Sequence, residues 1–344
     1  MYPNMYATTG GTTRYIDRFP KYRDAGFFRA VLGLNISSLG IGTYLGADDD
    51  TTDHAYTGAL LAAGVGGINL FDCAINYRNQ RSERSVGAAL RQLQRDEIVV
   101  CTKAGFLTPG AVPSFLKPEH VAGGMHSMDP DFLADQIDRS RANLGVDTID
   151  VFYLHNPETQ LGFLSREEFD TGLRRAFGRL EQLVAEHKIR WYGAATWDGF
   201  RGGALSLPRL AALALAECGP EHHFRFIQLP FNLGMVEAFL GSSESLNPEN
   251  AKPESVLQAA SRLGIATIAS ATLSQTQALE HMPKSLVELL PGLTNAQRAI
   301  QFTRSTPGIA SALVGMGRRE HVLENLGVAP VPPATYEQYL RLYQ

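Results

Sequence analysis

Cysteine is scarce in this chain. Three cysteines occur among 344 residues, Cys73, Cys101 and Cys218, and they lie far apart without Cys-x-x-Cys spacing. An odd, sparse count argues against a disulfide framework and is typical of buried thiols in a reducing compartment. We therefore expect a cytoplasmic protein.

The chain also lacks a strong excess of charge and any long apolar run. Its 31 Lys and Arg residues nearly balance 35 Asp and Glu, for a formal net charge of −4, which argues against nucleic acid or an anionic membrane as the main partner. The longest apolar runs have the length of a strand, far short of a bilayer span. Residues 1–14 have neither the basic start nor the apolar core of a signal peptide.

What the sequence does contain is an alternation of short apolar runs and helix-like segments from about residue 36 onward. Most runs are continuous, such as Ile-Val-Val-Cys over residues 98–101, which is typical of parallel strands buried on both faces. We predict eight strands, over Ser38–Leu45, Ile68–Ala74, Ile98–Ala104, Ile149–His155, Trp191–Thr196, Arg225–Pro230, Ile265–Ser270 and Ser311–Gly315.

Eight strands separated by helices predict an α/β fold of the (β/α)8 TIM-barrel type. An open, doubly wound sheet is the alternative. We expect residues 1–30 to be an N-terminal tail and lead-in, poorly ordered over residues 1–20, and residues 31–344 to form one barrel domain. The long connections Phe106–Met128 and Phe231–Lys252 follow strand ends, where loops cover the active-site face of a barrel.

Polar side chains lie where several predicted strands end: Asp72, Tyr77, Lys103 and His155. Each alone is as readily explained by packing or structural hydrogen bonding. Lys103, however, ends an apolar strand and should be buried, which requires a partner, and Asp72 ends the preceding strand. We expect this pair to lower the pKa of Tyr77, making it a general acid near neutral pH, while His155 orients a carbonyl or shares the proton.

These residues lie in a recognisable pattern. The segment Phe71-Asp72-Cys73-Ala74-Ile75-Asn76-Tyr77, followed by Ser82-Glu83 and Val86-Gly87-Ala88-Ala89-Leu90, resembles the aldo-keto reductase signature, and the likeness runs from Gly40 to Leu326. The resemblance implies that Asp72, Tyr77, Lys103 and His155 form a catalytic tetrad in a (β/α)8 barrel. It further implies hydride transfer from NADPH to an aldehyde or ketone, or the reverse oxidation of an alcohol, with Tyr77 as acid/base.

The resemblance also implies where the cofactor binds. Gly315-Met316-Gly317-Arg318-Arg319, followed by Glu324-Asn325, is similar to the family's stretch for the adenosine phosphates, and a glycine-rich turn at a helix N-terminus suits an anion. Arg318 can pair with a 2′-phosphate, which favours NADPH over NADH, although two arginines can also simply open a solvated helix. The remaining predicted cofactor contacts are Gly42, Thr43, Tyr44, Asp72, Thr196, Trp197, Gln228 and Ser270.

Two positions depart from the family pattern. The family's Gly-x-Ser-Asn after the fifth strand reads Gly193-Ala194-Ala195-Thr196 here, and Ser270 stands where an aromatic ring often packs under the nicotinamide. Trp197 can supply stacking instead. Each lost contact costs about 0.5–1.5 kcal/mol of cofactor affinity.

Alternative functions follow from the same residues. A Tyr–Lys–Asp–His site can also isomerise, dehydrate or epimerise a carbonyl compound without net redox change, and some family members are binding subunits that sense the cofactor. We expect no metal, because His120, His126 and the His222-His223 pair lack a third ligand at recognisable spacing. The substrate is expected to be a small carbonyl compound or alcohol; the sequence indicates neither its identity nor the oligomeric state.

Overall fold

The structure, a computed structural model, describes residues 6–241, 254–274, 282–290 and 292–341. A hairpin of β1 (Phe28–Val31) and β2 (Leu34–Ser37) precedes a closed barrel of eight parallel strands. The barrel strands β3 to β10 are Leu39–Gly42, Leu70–Asp72, Val99–Ala104, Ile149–His155, Ile189–Ala195, Phe224–Pro230, Ala266–Ser270 and Ile309–Gly315. All eight predicted barrel strands are present.

The barrel closes because β10 pairs with β3. Gly315 lies opposite Gly42 in this parallel pair, while every other barrel strand pairs with its neighbours in chain order. Closure confirms the (β/α)8 prediction and excludes the open sheet. The carboxyl ends of all eight strands therefore meet at one face, where the site must lie.

Helices surround the barrel. Those of the described residues are α1 (Thr9–Asp17), α2 (Pro20–Asp24), α3 (Asp50–Gly66), α4 (Arg81–Leu90), α5 (Pro130–Leu144), α6 (Arg166–Ala185), α7 (Leu207–Cys218), α8 (Glu237–Leu240), α9 (Val256–Leu263), α10 (Lys284–Leu289), α11 (Asn295–Ser305), α12 (Arg319–Asn325) and α13 (Tyr336–Leu340). Helix α5 shows why the boundaries were predictable: Asp129 accepts the N–H groups of Asp131 and Phe132, and Gly145 ends the helix at φ 66°. In the described part of the chain, no helix is long and apolar enough to cross a membrane.

The strands are buried on both faces. All seven residues of β6 are buried. One apolar cluster, including Leu70, Val151 and Phe226, fills the barrel interior, and a larger one packs the strands against the helices. This two-sided burial accounts for the continuous apolar runs of the sequence.

The expectation of a poorly ordered tail over residues 1–20 is wrong for the segment that begins at α1. The Tyr15 side chain is fully buried, and its hydroxyl donates to the carbonyl oxygen of Gly64 at 2.8 Å. A Cβ at Gly11 would lie 2.1 Å from the carbonyl oxygen of Asp96, so the small residue permits the close approach. Other contacts of this segment are polar, such as the ion pair of Arg14 with Asp96 at 2.7 Å, so its docking leaves no clear apolar periodicity in the sequence.

The long connections follow β5 and β8 at the carboxyl face of the barrel. Residues 105–128 contain a short 3₁₀ turn, Pro118–His120, and fold back so that Phe106 and His126 form an isolated bridge. In the second connection Asn232 and Met235 form a similar bridge before α8, and residues 242–253 lie outside the described residues.

Candidate active site

An ion pair is buried at the carboxyl end of the barrel. The Lys103 side chain is fully buried, and its Nζ donates to Asp72 Oδ1 at 2.6 Å and to the carbonyl oxygen of Cys73 at 2.9 Å. The other carboxylate oxygen of Asp72 accepts from Gln228 Nε2 at 2.8 Å. Strand register brings these residues together, since β4 and β5 are adjacent and β8 faces them across the barrel.

The pair keeps a positive charge under the Tyr77 ring. Burial is the largest single influence and would lower the pKa of Lys103, but Asp72, Tyr77 and Cys73 together outweigh it and raise that pKa above its usual value. Lys103 Nζ lies 4.8 Å from the centroid of the Tyr77 ring. Lys103 is therefore a fixed cation beside the phenol.

The net effect on Tyr77 corrects the sequence-based expectation. Burial raises the pKa of Tyr77 above its usual value, and Asp72 adds to the rise, whereas Lys103 alone acts to lower it. The predicted depression of this pKa is thus wrong, because desolvation of the phenolate exceeds the attraction of the ammonium group. Tyr77 is a protonated phenol at neutral pH, in the form able to give up a proton.

His155 packs edge-on against Tyr77, with ring centroids 5.7 Å apart. Burial, together with the positive charge of Lys103, lowers the pKa of His155 well below its usual value. Its Nδ1 is buried and without a hydrogen-bond partner among the described residues. The imidazole is therefore neutral and keeps hydrogen-bonding capacity for a ligand.

His126 contacts the end of β6 next to His155. Its Nε2 hydrogen-bonds the carbonyl oxygen of His155 at 2.8 Å, and its Nδ1 lies 3.1 Å from Gln160 Nε2. Burial lowers the pKa of His126 to about 4, so this ring is neutral as well. His126 holds the long loop after β5 against the end of β6.

A cleft of about 670 Å³ opens above these groups. Of the residues predicted for the site, Asp72, Tyr77 and His155 line it, and Lys103 lies buried beneath. Predicted cofactor residues that also line the cleft are Gly42, Thr43, Tyr44, Trp197, Gln228, Ser270 and Gly315.

Thr43 and Thr196, both predicted to contact the cofactor, differ in whether their hydroxyl groups already have a hydrogen-bond partner. Thr43 Oγ1 donates to the backbone carbonyl oxygen of Asp72 at 2.9 Å and contacts Ser82, so it is committed within the protein. Thr196 is buried just outside the lining of the cleft, and its Oγ1 has no partner in the described part of the chain. An unpaired buried hydroxyl costs about 1–3 kcal/mol, which a ligand hydrogen bond would recover.

Trp197 is presented by a fixed loop. Glu158 Oε1 accepts the backbone N–H groups of Trp197, Asp198 and Gly199 at 3.0–3.3 Å. Burial raises the pKa of Glu158, although these three donors oppose the rise. The indole is 44% exposed in the cleft, so its face is available for stacking.

The turn after β9 is strained and carries a further hydroxyl. Ala271 has φ 54°, in the left-handed region, and Asn232 Nδ2 donates to its carbonyl oxygen at 2.9 Å. Thr272 lines the cleft, and its buried Oγ1 has no partner among the described residues. Ser270 and Thr272 thus place hydroxyl-bearing residues at the cleft where the family pattern was expected to be weaker, whereas Thr196 lies outside its lining.

The predicted phosphate end is a turn followed by α12. Arg318 is the exposed residue preceding α12, Gly317 packs against Tyr56, and a Cβ at Gly315 would project into open space. Glu324 accepts from Thr294 Oγ1 at 3.0 Å, and Asn325 is buried. The exposed Arg318 side chain is therefore available to a ligand. The Glu324 carboxylate, in contrast, already accepts a hydrogen bond from Thr294 at the start of α11.

The other histidines of the described residues form no metal site. His120 Nδ1 lies 2.9 Å from Asp129, and His223 Nδ1 lies 2.8 Å from Glu181. Across the described ranges, no three His, Cys, Asp or Glu side chains are grouped as metal ligands.

Sequence reasoning missed two amides that line the cleft, Asn76 and Asn156. Each is the chain neighbour of a tetrad residue, Asn76 before Tyr77 and Asn156 after His155. That adjacency was a usable signal, because a residue next to a cleft-lining side chain at the end of a strand often lies at the same opening.

Comparison with known proteins agrees with this geometry. The aldo/keto reductase family model matches residues 38–281. The chain is 36% identical over 179 residues to a D-threo-aldose 1-dehydrogenase of Pseudomonas sp, covering 48% of this chain and 51% of the relative. It is 30% identical over 173 residues to the NADH-specific methylglyoxal reductase of Escherichia coli, covering 48% and 50%.

The matches to these curated relatives thus span about half of their length. Among solved structures, an aldo/keto reductase from Klebsiella pneumoniae in complex with NADP and acetate superposes with a TM-score of 0.65. It is 20% identical, over 90% of this chain and 93% of that chain, and shows the shared fold.

Proposed function

The chain belongs to the aldo/keto reductase family, and from that premise we propose that it is an NADPH-dependent oxidoreductase that reduces a small aldehyde or ketone, or oxidises the corresponding alcohol. The observation that carries the proposal is the constellation at the cleft: a protonated Tyr77, a fixed cation at Lys103 and a neutral His155. These are the groups needed to protonate an oxygen as negative charge develops on it.

The residues around the cleft fit a nicotinamide dinucleotide. The volume of about 670 Å³ suits the reacting half of such a ligand, and Ser270 and Thr272 are hydroxyl-bearing residues of its lining. Trp197, Gln228 and Ser270 would hold the nicotinamide end, and Gly315 with Arg318 would hold the phosphate end. When bound, the reduced cofactor supplies a hydride to the carbonyl carbon.

The protein's own groups handle the proton. As the carbonyl oxygen gains the electron pair of the C=O bond, the Tyr77 hydroxyl gives its proton to that oxygen, and the alcohol forms. Lys103 stabilises the resulting phenolate, and Asp72 keeps Lys103 in place by accepting from it at 2.6 Å. His155, being neutral, is able to hydrogen-bond the substrate oxygen without competing as an acid. Solvent then returns a proton to Tyr77.

The cofactor preference rests on Arg318. Its guanidinium group is exposed and has no hydrogen-bond or ion-pair partner among the described residues, so it is available to a 2′-phosphate. One relative is named as NADH-specific, which makes the preference worth measuring directly. We expect Arg318→Ala to weaken NADPH binding by about tenfold and to leave NADH binding unchanged.

The deciding experiment is a fluorescence titration of the purified protein with NADPH and NADH, followed by a carbonyl screen at saturating cofactor. Tyr77→Phe is the matched variant, since it removes only the proton donor. We expect tight NADPH binding in both proteins and carbonyl reduction in the unsubstituted one alone. Absence of binding to either nucleotide would overturn the proposal and favour a redox-neutral reaction, tested by product analysis.

A further inference from the structure

The backbone directly after Tyr77 is left-handed over three successive residues. Arg78, Asn79 and Gln80 have φ 47°, 49° and 71°. This conformation is unfavourable for residues other than glycine, and of these three only asparagine tolerates it readily. A run of such residues persists only where surrounding contacts hold it in place. The segment that carries the phenol is therefore held by groups outside itself.

One carboxylate of the helix after β3 holds both arginines of this segment. Arg78 Nη1 donates to Asp53 Oδ1 at 2.9 Å, and Arg81 Nη1 donates to Asp53 Oδ2 at 2.5 Å. The other terminal nitrogen of Arg78, Nη2, donates to Ser85 Oγ at 3.0 Å. Arg78 therefore ties the left-handed run to α3 on one side and to α4 on the other.

The Arg78 guanidinium group is also stacked on an aromatic ring. Its side chain is 2% exposed, and its Cζ lies 4.8 Å from the centroid of the Tyr56 ring, within the range of a cation–π interaction. Arginine is seldom buried to this extent without a partner. Asp53 and the Tyr56 ring together compensate the buried charge.

The Tyr56 ring in turn contacts two other loops of the carboxyl face. Its hydroxyl donates to the carbonyl oxygen of Leu45 at 2.7 Å, and the preceding residue, Tyr44, packs edge-on against Tyr77 with ring centroids 4.8 Å apart. A Cβ at Gly317 would lie 3.3 Å from Tyr56 Cζ, so the ring packs against the turn between β10 and α12. Tyr56 therefore lies between the segment of the phenol and the predicted phosphate turn.

We propose that Arg78 and Tyr56 are positioning residues that join the phosphate turn to the segment carrying Tyr77, so that a nucleotide phosphate bound at the turn restricts the motion of the proton donor. Binding that orders one part of a packed unit lowers the cost of ordering the rest. This inference rests on the proposed function, in which Tyr77 gives its proton to the substrate oxygen. Neither positioning residue is among the described residues that line the cleft, so both act through the backbone next to Tyr77.

The test divides the cofactor into two pieces. Reduced nicotinamide mononucleotide carries the hydride without the adenosine phosphates, and 2′,5′-ADP carries the phosphates without a hydride. With the mononucleotide and 4-nitrobenzaldehyde, saturating 2′,5′-ADP should raise kcat/KM of the unsubstituted protein by about tenfold. Arg78→Lys keeps the charge but loses the planar stack and the forked donors, so this activation should fall to about twofold or less.

Amide hydrogen exchange gives a second readout that needs no turnover. The N–H groups of Gln80 and Arg81 donate to the carbonyl oxygens of Ile75 and Arg78 at 2.9 and 3.0 Å. Saturating 2′,5′-ADP should slow exchange over residues 77–82 by about fivefold in the unsubstituted protein and should leave it unchanged in Arg78→Lys. Slowed exchange in a protein that reduces no carbonyl compound would overturn the proposed function and leave this inference standing.

The matched control is Arg18→Lys at the amino end of β5. Arg18 Cζ also lies 4.8 Å from a tyrosine ring, that of Tyr15, and its guanidinium group also pairs with a carboxylate, that of Glu97. This variant should keep both the activation and the slowed exchange. Tyr56→Leu removes the ring and keeps the pair of Arg78 with Asp53, so it tests the inference if Arg78→Lys folds poorly.

Three results would overturn the inference. The first is full activation by 2′,5′-ADP in both Arg78→Lys and Tyr56→Leu. The second is an equal loss of kcat/KM in these variants with and without 2′,5′-ADP, which would assign the two residues a purely structural role. The third is exchange over residues 77–82 that does not respond when 2′,5′-ADP binds to the unsubstituted protein.

Discussion

The barrel carries a buried carboxylate near each of its two faces, and the two serve different purposes. Asp72 ends β4 at the carboxyl face, whereas Asp150 is the second residue of β6 at the opposite face. Asp150 accepts from the N–H of Ala7 at 2.7 Å, from Arg95 at 2.7 Å and from the N–H of Val100 at 2.9 Å. Asp72 accepts instead from the side chains of Lys103 and Gln228.

The difference lies in the partners and in what surrounds them. Asp150 is fully buried and bound by backbone donors and an arginine, which ties the N-terminal segment to the floor of the barrel. Asp72 fixes a lysine beside a phenol at a cleft of about 670 Å³. A buried carboxylate is thus not a catalytic signal by itself; a titratable neighbour with access to a ligand makes it one.

The largest expected effect is a loss of catalytic activity when a residue of the carboxyl face is substituted. Tyr77→Phe should lower kcat for carbonyl reduction by about a thousandfold, because it removes the hydroxyl group that gives its proton to the substrate oxygen. The unfolding free energy should change little, since the hydroxyl group belongs to the cleft. Steady-state kinetics and denaturant unfolding on the same preparation check both statements, and a retained kcat would contradict the role of Tyr77.

At the opposite face of the barrel, we expect a substitution of Asp150 to change stability and not activity. Asp150→Asn should lower the free energy of unfolding by about 3 kcal/mol, since it leaves Arg95 without its buried counter-charge. Activity of the folded protein should be unchanged. Urea unfolding and kcat measured below the transition test the contrast; a loss of activity without a loss of stability would show that the faces are coupled.

The carboxyl face should also be the more sensitive to acid. The pKa of His126 falls from its usual 6.5 to about 4 in the folded chain. Between those values the unfolded chain binds more protons, so stability is full above about pH 6.5 and is lost as the pH falls towards 4. His126→Gln should reduce this dependence in unfolding measured from pH 7 to 4.5, whereas His54→Gln, at an exposed side chain, should not.

The smallest expected difference between the two faces concerns residues with a strained backbone conformation. Ala271 at the cleft and Leu32 in the floor hairpin both have positive φ, 54° and 47°. Ala271→Gly and Leu32→Asn should each raise the unfolding free energy by about 0.5 kcal/mol, because glycine and asparagine suit this conformation. Only Ala271→Gly should alter affinity for NADPH, since it loosens the turn carrying Ser270 and Thr272. Equal effects on cofactor binding would contradict a functional role for the strained turn.

Several features could be predicted from sequence because they depend on local pattern. Continuous apolar runs marked the strands, Asp129, Pro130 and Gly145 marked a helix, and a lysine ending an apolar strand demanded an acidic partner. The pairing of Lys103 with Asp72 is confirmed at 2.6 Å. The N-terminal helix was missed, because many of its contacts are polar, such as the ion pair of Arg14 with Asp96, and Tyr15 is the one large apolar side chain buried within it.

By itself the sequence determined the barrel, the buried ion pair and the membership of the family. Apolar runs of strand length and polar residues at the ends of those runs are local features that can be recognised in the sequence. Tertiary structure alone decided the direction of the Tyr77 pKa shift, since desolvation depends on what surrounds the phenol from every strand. It also decided which hydroxyl groups find a partner within the protein. Thr43 Oγ1 donates to the backbone carbonyl oxygen of Asp72, whereas Thr196 Oγ1 has no hydrogen-bond partner among the described residues. Hydrogen-bond partners that lie far apart in sequence are fixed only when the barrel closes.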